Sequence, residues 1–399
     1  MKYTFGQRAV RLSILLLALG WFAGISALPV TGLYTERVAV ANESDSERNR
    51  AFQEALEAVI LKVTGTQNWS SNPAVNDAIR NAQRYVEAIS YSSETVAIEP
   101  GEPEVAATEE AEDSAAQEEV STSDADSTPP AAPVAPQPTT REQRFISVEF
   151  APSLINQLLT SAGIPVWDSN RPSVLVWMVM QNSAGEREML TGESNPEIIA
   201  LMREFAQRRG LPIIFPVLDF ADRRNLNENQ VWNLEQDAIR AASERYGADS
   251  ILSARLHFTA GGELVGLWQF IFQDQVQVFD GFDTDLQNYL HGPLDRITTE
   301  LASYFAISPE TMTAQQASLR IDGVGDLRAY SALVNYVQGL GLVESVTTVA
   351  LDGSRLDLRL NLRGNPQQLS ELIALDRDLL PVNSSTDETG DFLHYRWTR

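Results

Sequence analysis

Between residues 99 and 140 the chain reads EPGEPEVAATEEAEDSAAQEEVSTSDADSTPPAAPVAPQPTT, with eleven acidic residues, no basic residue and no aromatic one. Such a stretch cannot bury enough apolar surface to offset the entropy of ordering it, so it is expected to be a disordered spacer. Its acidic first part self-repels and its Pro-rich end is stiff, which keeps it extended. Yet the segments on both sides alternate like strands: one from Tyr85 to Ile98 and one at RFISVEF (144–150). A fold that accommodates this must let the chain leave a small sheet and return to it. Residues 28–163 are therefore expected to form one α/β domain interrupted by the spacer at 99–140, not two domains joined by it.

Upstream of the spacer, LYTERVAVA (33–41) alternates like a strand and SDSERNRAFQEALEAVILKVTG reads as a helix. Ser44 and Glu47 have capping-box spacing, Phe52, Ala55, Leu56, Val59, Ile60 and Val63 form one stripe, and Gly65 is a stop. A short helix follows Pro73, and APSLINQLLTSAG is helical after the spacer.

A second unit is expected over 164–310. SVLVWMVM (173–180) is apolar almost throughout, as suits a strand covered on both faces. A helix from Asn195-Pro196 to Gly210 follows, then LPIIFPVLD as a further strand. A helix from about Leu234 to Tyr246 leads into three antiparallel strands, SILSARLHF, ELVGLWQFIF and QVQVFDG. A helix from Asp283 to Phe305, bent near Pro293, closes the unit.

A third unit, 316–399, has the order β-α-β-β-α, with Leu327, Tyr330, Val334, Val337 and Leu340 on one side of its first helix. A hairpin turns at Asp352-Gly353, and Leu356, Leu358, Leu360 and Leu362 alternate with polar residues. The expected fold is α+β or α/β: three small mixed-sheet domains, the middle one an open α/β sheet and the last ferredoxin-like.

The first 27 residues read as a signal peptide, with a retained membrane anchor as the alternative: Lys2, Arg8 and Arg11 precede an apolar run, and Ala27 suits cleavage. Export to the periplasm follows, with no stable membrane span after cleavage. With no cysteine in the chain, the folded core must stand without disulfides. A formal net charge of −24 repels phosphate backbones, which argues against a nucleic-acid partner.

Chemistry-bearing patterns are sparse. His257, His291 and His394 are scattered without metal-ligand spacing, so no metal is expected. Asp280, Asp283 and Asp285 in FDGFDTDLQ suit helix capping better than a calcium loop, and DGVGDLR lacks the third glycine of a dinucleotide loop. No cofactor is expected. The strongest binding signal is GIPVWDSNRPSVLVW, which places Trp167, Asp168, Asn170 and Arg171 in a loop before a buried strand. Phe215, Asp219 and Trp232 are expected at the same sheet end. The competing reading has Trp167 plugging the contact between the first two domains while Asp168 and Asn170 shape a turn.

Three stretches, LYTERVAVANESDSERNRAFQEALEAVILKVTG, GIPVWDSNRPSVLVWMVM and RGLPIIFPVLD…VWNLEQDAIRAASERYGADSILSARL, together resemble exported proteobacterial proteins of the domain of unknown function 2066 family. More distantly, the helix–RYGAD–strand unit resembles domains of envelope assembly proteins: flagellar assembly protein T, the amino-terminal domain of the Tol-Pal propeller protein and peptidoglycan-synthase activators. The resemblance implies compartment and architecture, with envelope proteins as partners, and carries no activity. The functional expectation is a non-enzymatic, exported adaptor or assembly factor. The alternatives are a peptidoglycan- or glycan-binding protein and an unrecognised carboxylate hydrolase.

Overall fold

Alternation in the first strand sorts its side chains: Val38 and Val40 of β1 (Thr35–Val40) point inward, Arg37 and Ala39 outward. The structure is a computed structural model that describes residues 30–97, 140–182, 184–308, 315–375, 378–382 and 392–398. The signal segment 1–27 and, apart from Thr140, the spacer 99–140 lie outside the described residues. After β1 comes α1 (Asp45–Thr64), capped by the Ser44 hydroxyl, which accepts from the Glu47 backbone N–H at 3.4 Å. Only half of the expected capping box forms. The Glu47 carboxylate accepts from the Ala41 N–H and from Arg50 instead, and these bonds hold its carboxyl down at about 2.

Next come α2 (Pro73–Arg80), β2 (Val86–Ala97), β3 (Thr140–Phe150) and α3 (Pro152–Ser161). The sheet order is β1-β3-β2, antiparallel throughout, with Ala97 opposite Thr140. The strand that leaves toward residue 98 and the one that returns from 139 are thus hydrogen-bonded neighbours. The α1 stripe packs on Ile146, Val148 and Phe150, burying one face of this sheet.

The middle sheet is built on β4 (Val174–Gln181), with β5 (Arg187–Met189), β7 (Ser250–Phe258), β8 (Leu264–Phe272) and β9 (Gln275–Asp283) in the order β5-β4-β7-β8-β9. β4 and β7 run parallel, and β7, β8 and β9 form an antiparallel meander. Both faces of β4 are covered, which explains its unbroken apolar sequence. Val174, Val176 and Met178 meet α4 (Pro196–Arg209) and α8 (Leu286–Phe305). Leu175, Trp177 and Val179 pack with Leu218 and Leu226, which flank α5 (Phe220–Asn225), with Val231 of α6 (Glu228–Trp232) and with Ile239 and Ala242 of α7 (Gln236–Ser243).

Sequence and structure part company in two places here. LPIIFPVLD yields only β6 (Ile213–Ile214), because Pro216 has no N–H to donate and Leu218 turns the chain at φ 54°. The helix expected from Leu234 starts at Gln236, since Leu234 itself sits at φ 53°. Such angles are uncommon for a leucine.

The third sheet holds β10 (Gln315–Asp322), β11 (Val343–Asp352), β12 (Arg355–Leu362), β13 (Leu379–Pro381) and β14 (Phe392–Trp397), with helices α9 (Leu327–Gly339) and α10 (Pro366–Leu375). Its order is β11-β12-β10-β14-β13. The βαββα order of a ferredoxin-like fold is present, extended by β14, which lies parallel to β10 and separates it from β13. Leu356, Leu358, Leu360 and Leu362 are all buried, and their polar neighbours form the wet face. On α9 the buried line runs through Leu333 and Val337, while Leu327 is exposed. Leu327 follows the capping Asp326 directly, so it lies at the helix mouth. The architecture is mixed α+β with three sheets. No helix among the described residues is long and apolar enough to cross a membrane.

Candidate functional site

The loop entering β4 lies where the three sheets meet. Val166 bridges Ile307, the Trp167 N–H donates to the Val63 carbonyl at 2.8 Å, and the Ser169 carbonyl accepts from Val30. Trp167 is only 1 % exposed. The Asp168 carboxylate accepts from the N–H groups of Ser169 and Gly341, each at 2.7 Å, and the Asn170 amide donates to the Leu372 carbonyl at 3.0 Å. These two side chains tie the third sheet's helices to the loop.

Arg171, 2 % exposed, stacks its guanidinium 4.2 Å from the centre of the Trp167 ring. Its five N–H groups are all used, on the carbonyls of Asp168, Arg209, Gly210, Lys62 and Trp167 at 2.8–3.1 Å. Lys62 lies in the last turn of α1, and Arg209 and Gly210 end α4. The cation therefore sits where the carbonyl ends of two helices converge, and these carry partial negative charge. Burial draws its pKa down to about 9, against the pull of Asp168, so it stays charged at neutral pH. Both helices end on glycines with positive φ, Gly65 at 67° and Gly210 at 60°. A Cβ on Gly65 would run into Trp167 and Ala302, and one on Gly210 into Arg171. Arg209 completes the knot by donating to the Gly65 carbonyl at 2.8 Å and pairing with Asp295.

Beside this knot a cleft of about 470 Å³ opens between α1, α4 and α8. Ala58, Leu61 and Phe205 supply its apolar surface, and Arg208, His291 and Asp295 its polar groups. A second hollow of about 350 Å³ shares Ala58, Leu61 and Gln67 with it and continues past Trp69, Glu54 and Glu57. The two form one trough along α1. The Trp69 indole N–H is buried there without a partner among the described residues. Arg208 approaches His291 Nε2 at 3.0 Å. A guanidinium only donates, so that ring nitrogen accepts and the imidazole is neutral. Burial and then the Arg208 charge lower the pKa of His291, in keeping with that state.

Asp219 and Trp232 are not part of either place. Asp219 caps α5 and pairs with Arg245. Trp232 is half-buried beside Arg187, Arg255 and His257, at the carboxyl ends of β4 and β7. Phe215 lies against Arg203. The six candidate residues thus fall into three groups: Trp167, Asp168, Asn170 and Arg171 in the junction, Asp219 at a helix cap, and Trp232 in a cationic cluster. Asp285 caps α8 by accepting from the Asn288 N–H, and Asp283 accepts from the Asp285 N–H. Sequence reading missed the trough: Ala58 and Leu61 lie outside the core stripe of α1, and nothing in their spacing marks a site.

Residues 27–168 match a family described as a domain of unknown function (DUF8605). The match covers the first sheet, the spacer and the chain up to Asp168 in the junction. It overturns the resemblance to the domain of unknown function 2066 family, which is a different family, and nothing supports the wider likeness to envelope assembly proteins. No curated protein matches the chain.

Proposed function

We propose that the protein works by binding: it is an exported adaptor that grips an extended segment of a partner protein in the trough along α1. The observation that carries this reading is the continuity of the two hollows through Ala58, Leu61 and Gln67. A long, shallow surface with an apolar floor and charged ends suits a peptide chain, whose backbone needs donors and acceptors along its length. Arg208 supplies donors, while Glu54, Glu57 and Asp295 supply acceptors. The knot at Arg171 supports the reading as well, because it fixes α1 against α4 and pre-forms the trough. Export rests on the amino-terminal Lys/Arg-then-apolar pattern.

A photo-crosslinking residue at the exposed Gln67 tests this in intact cells, with the same residue at exposed Gln367 on α10 as control. The expected result is a discrete protein adduct at position 67 that disappears when Leu61→Lys is added. Equal adducts at both positions, or none at 67, refute the trough.

A further inference from the structure

The middle sheet has a second unusual surface, on the face covered by α5, α6 and α7. Those helices cover only part of it. Beyond Trp232, the pairing register lays out one row across five strands: Arg187, Gln181, His257, Val265 and Phe282. A neighbouring row runs Val179, Arg255, Leu267 and Asp280. Both rows end in exposed residues on β9, Phe282 at 73 % and Asp280, and Val278 on the same strand is 53 % exposed. An open sheet face with a large aromatic in water is the kind of surface that marks an interaction site.

The charges on this face are unusual for the chain. With a formal net charge of −24, arginines are in demand, and Arg50, Arg209, Arg245, Arg320 and Arg355 are all paired with carboxylates. Among the described residues, Arg187 and Arg255 have no carboxylate partner. Arg187 donates to the Asn229 amide oxygen at 2.8 Å and Arg255 to the Trp232 carbonyl at 3.1 Å, and their guanidiniums lie 4.3 and 5.6 Å from the Trp232 ring centre. Stacking on an aromatic holds a guanidinium in place while leaving some of its donors free. Asp280 lies at the far side of this face, opposite Leu267. The face is thus basic at one end and apolar across the middle.

We propose that this open face beside Trp232 is a second binding surface, for an acidic peptide segment that also carries apolar side chains. The carboxylates would pair with Arg187 and Arg255, and the apolar groups would lie on Val265, Leu267 and Phe282. The surface is a spread of side chains across five strands, which suits an extended segment more than a small ligand. An anionic bilayer is the other candidate for a basic-and-apolar surface. The acidic chain repels a charged sheet of lipid far more than a short peptide bearing a few charges.

The test uses the full-length mature chain and fluorescence anisotropy with two labelled peptides, one alternating Glu and Phe and one alternating Lys and Phe. The Glu peptide is expected to bind and to weaken at high salt, while the Lys peptide does not bind. Arg187→Glu should weaken the Glu peptide about tenfold, the scale of a hot-spot change. Phe282→Ser should weaken it as well, and both variants should keep the wild-type melting temperature because both side chains are exposed. Equal binding of the two peptides, no binding of either, or full affinity in both variants overturns the proposal. So does adsorption to phosphatidylglycerol vesicles without peptide binding, which would assign the face to a membrane surface.

Discussion

Two tryptophan–arginine stacks in this protein look alike on paper and behave as opposites. In the junction, Arg171 lies 4.2 Å from the Trp167 ring centre, and in the middle sheet Arg187 lies 4.3 Å from that of Trp232. Arg171 is buried and spends all five N–H groups on backbone carbonyls from two sheets' helices and its own loop. Arg187 is exposed and, among the described residues, makes one side-chain hydrogen bond, to Asn229. The residue pair itself does not separate glue from grip. What separates them is how many of the donors are already answered from within the chain.

The comparison can be broken at its buried end first. Trp167→Ala should cost about 3–5 kcal/mol in urea unfolding, the range for emptying a large aromatic site in a packed core. Its effect on crosslinking at Gln67 should follow from the lost stability alone. Arg171→Met should cost about 3 kcal/mol or more, because it strands five carbonyls in a dry interior. Gly65→Ala should cost at least about 1–2 kcal/mol for its left-handed backbone alone, before any collision with Trp167 is counted. At the exposed end, Arg187→Glu should change stability by less than about 0.5 kcal/mol, as surface changes do, while altering peptide capture.

The trough adds a pH test with a definite sign. Burial and Arg208 hold the His291 imidazole below its ordinary value of 6.5. As pH falls below that value the unfolded chain takes up the proton first, so stability present above it is lost on acidification. His291→Gln should remove that part of the acid sensitivity, measured as melting temperature against pH.

Much of the fold was legible because local rules govern it. The α1 stripe, the stops at Gly65 and Gly210, the two-faced β4 and the alternating leucines of β12 all follow from periodicity and capping. The candidate site was legible only in part. GIPVWDSNRP stands out as a loop of binding-type residues, yet the distant groups it meets are backbone ones, carbonyls for the most part and the Gly341 N–H. Lys62 is 109 residues from Arg171, and Leu372 is 202 from Asn170. A carbonyl has no residue-specific signature, so no spacing rule points to it. Leu218 and Leu234 were invisible for a related reason: positive φ at leucine is imposed by tertiary packing against local preference.

The central claim is that one short loop locks all three sheets through Arg171 and its neighbours. Backbone hydrogen exchange on Arg171→Met, compared with wild type, tests it most directly. The account predicts faster exchange at the end of α1 near Val63, in β4, and around Gly341 and the end of α10 together, one region from each sheet. Acceleration confined to the middle sheet would contradict it.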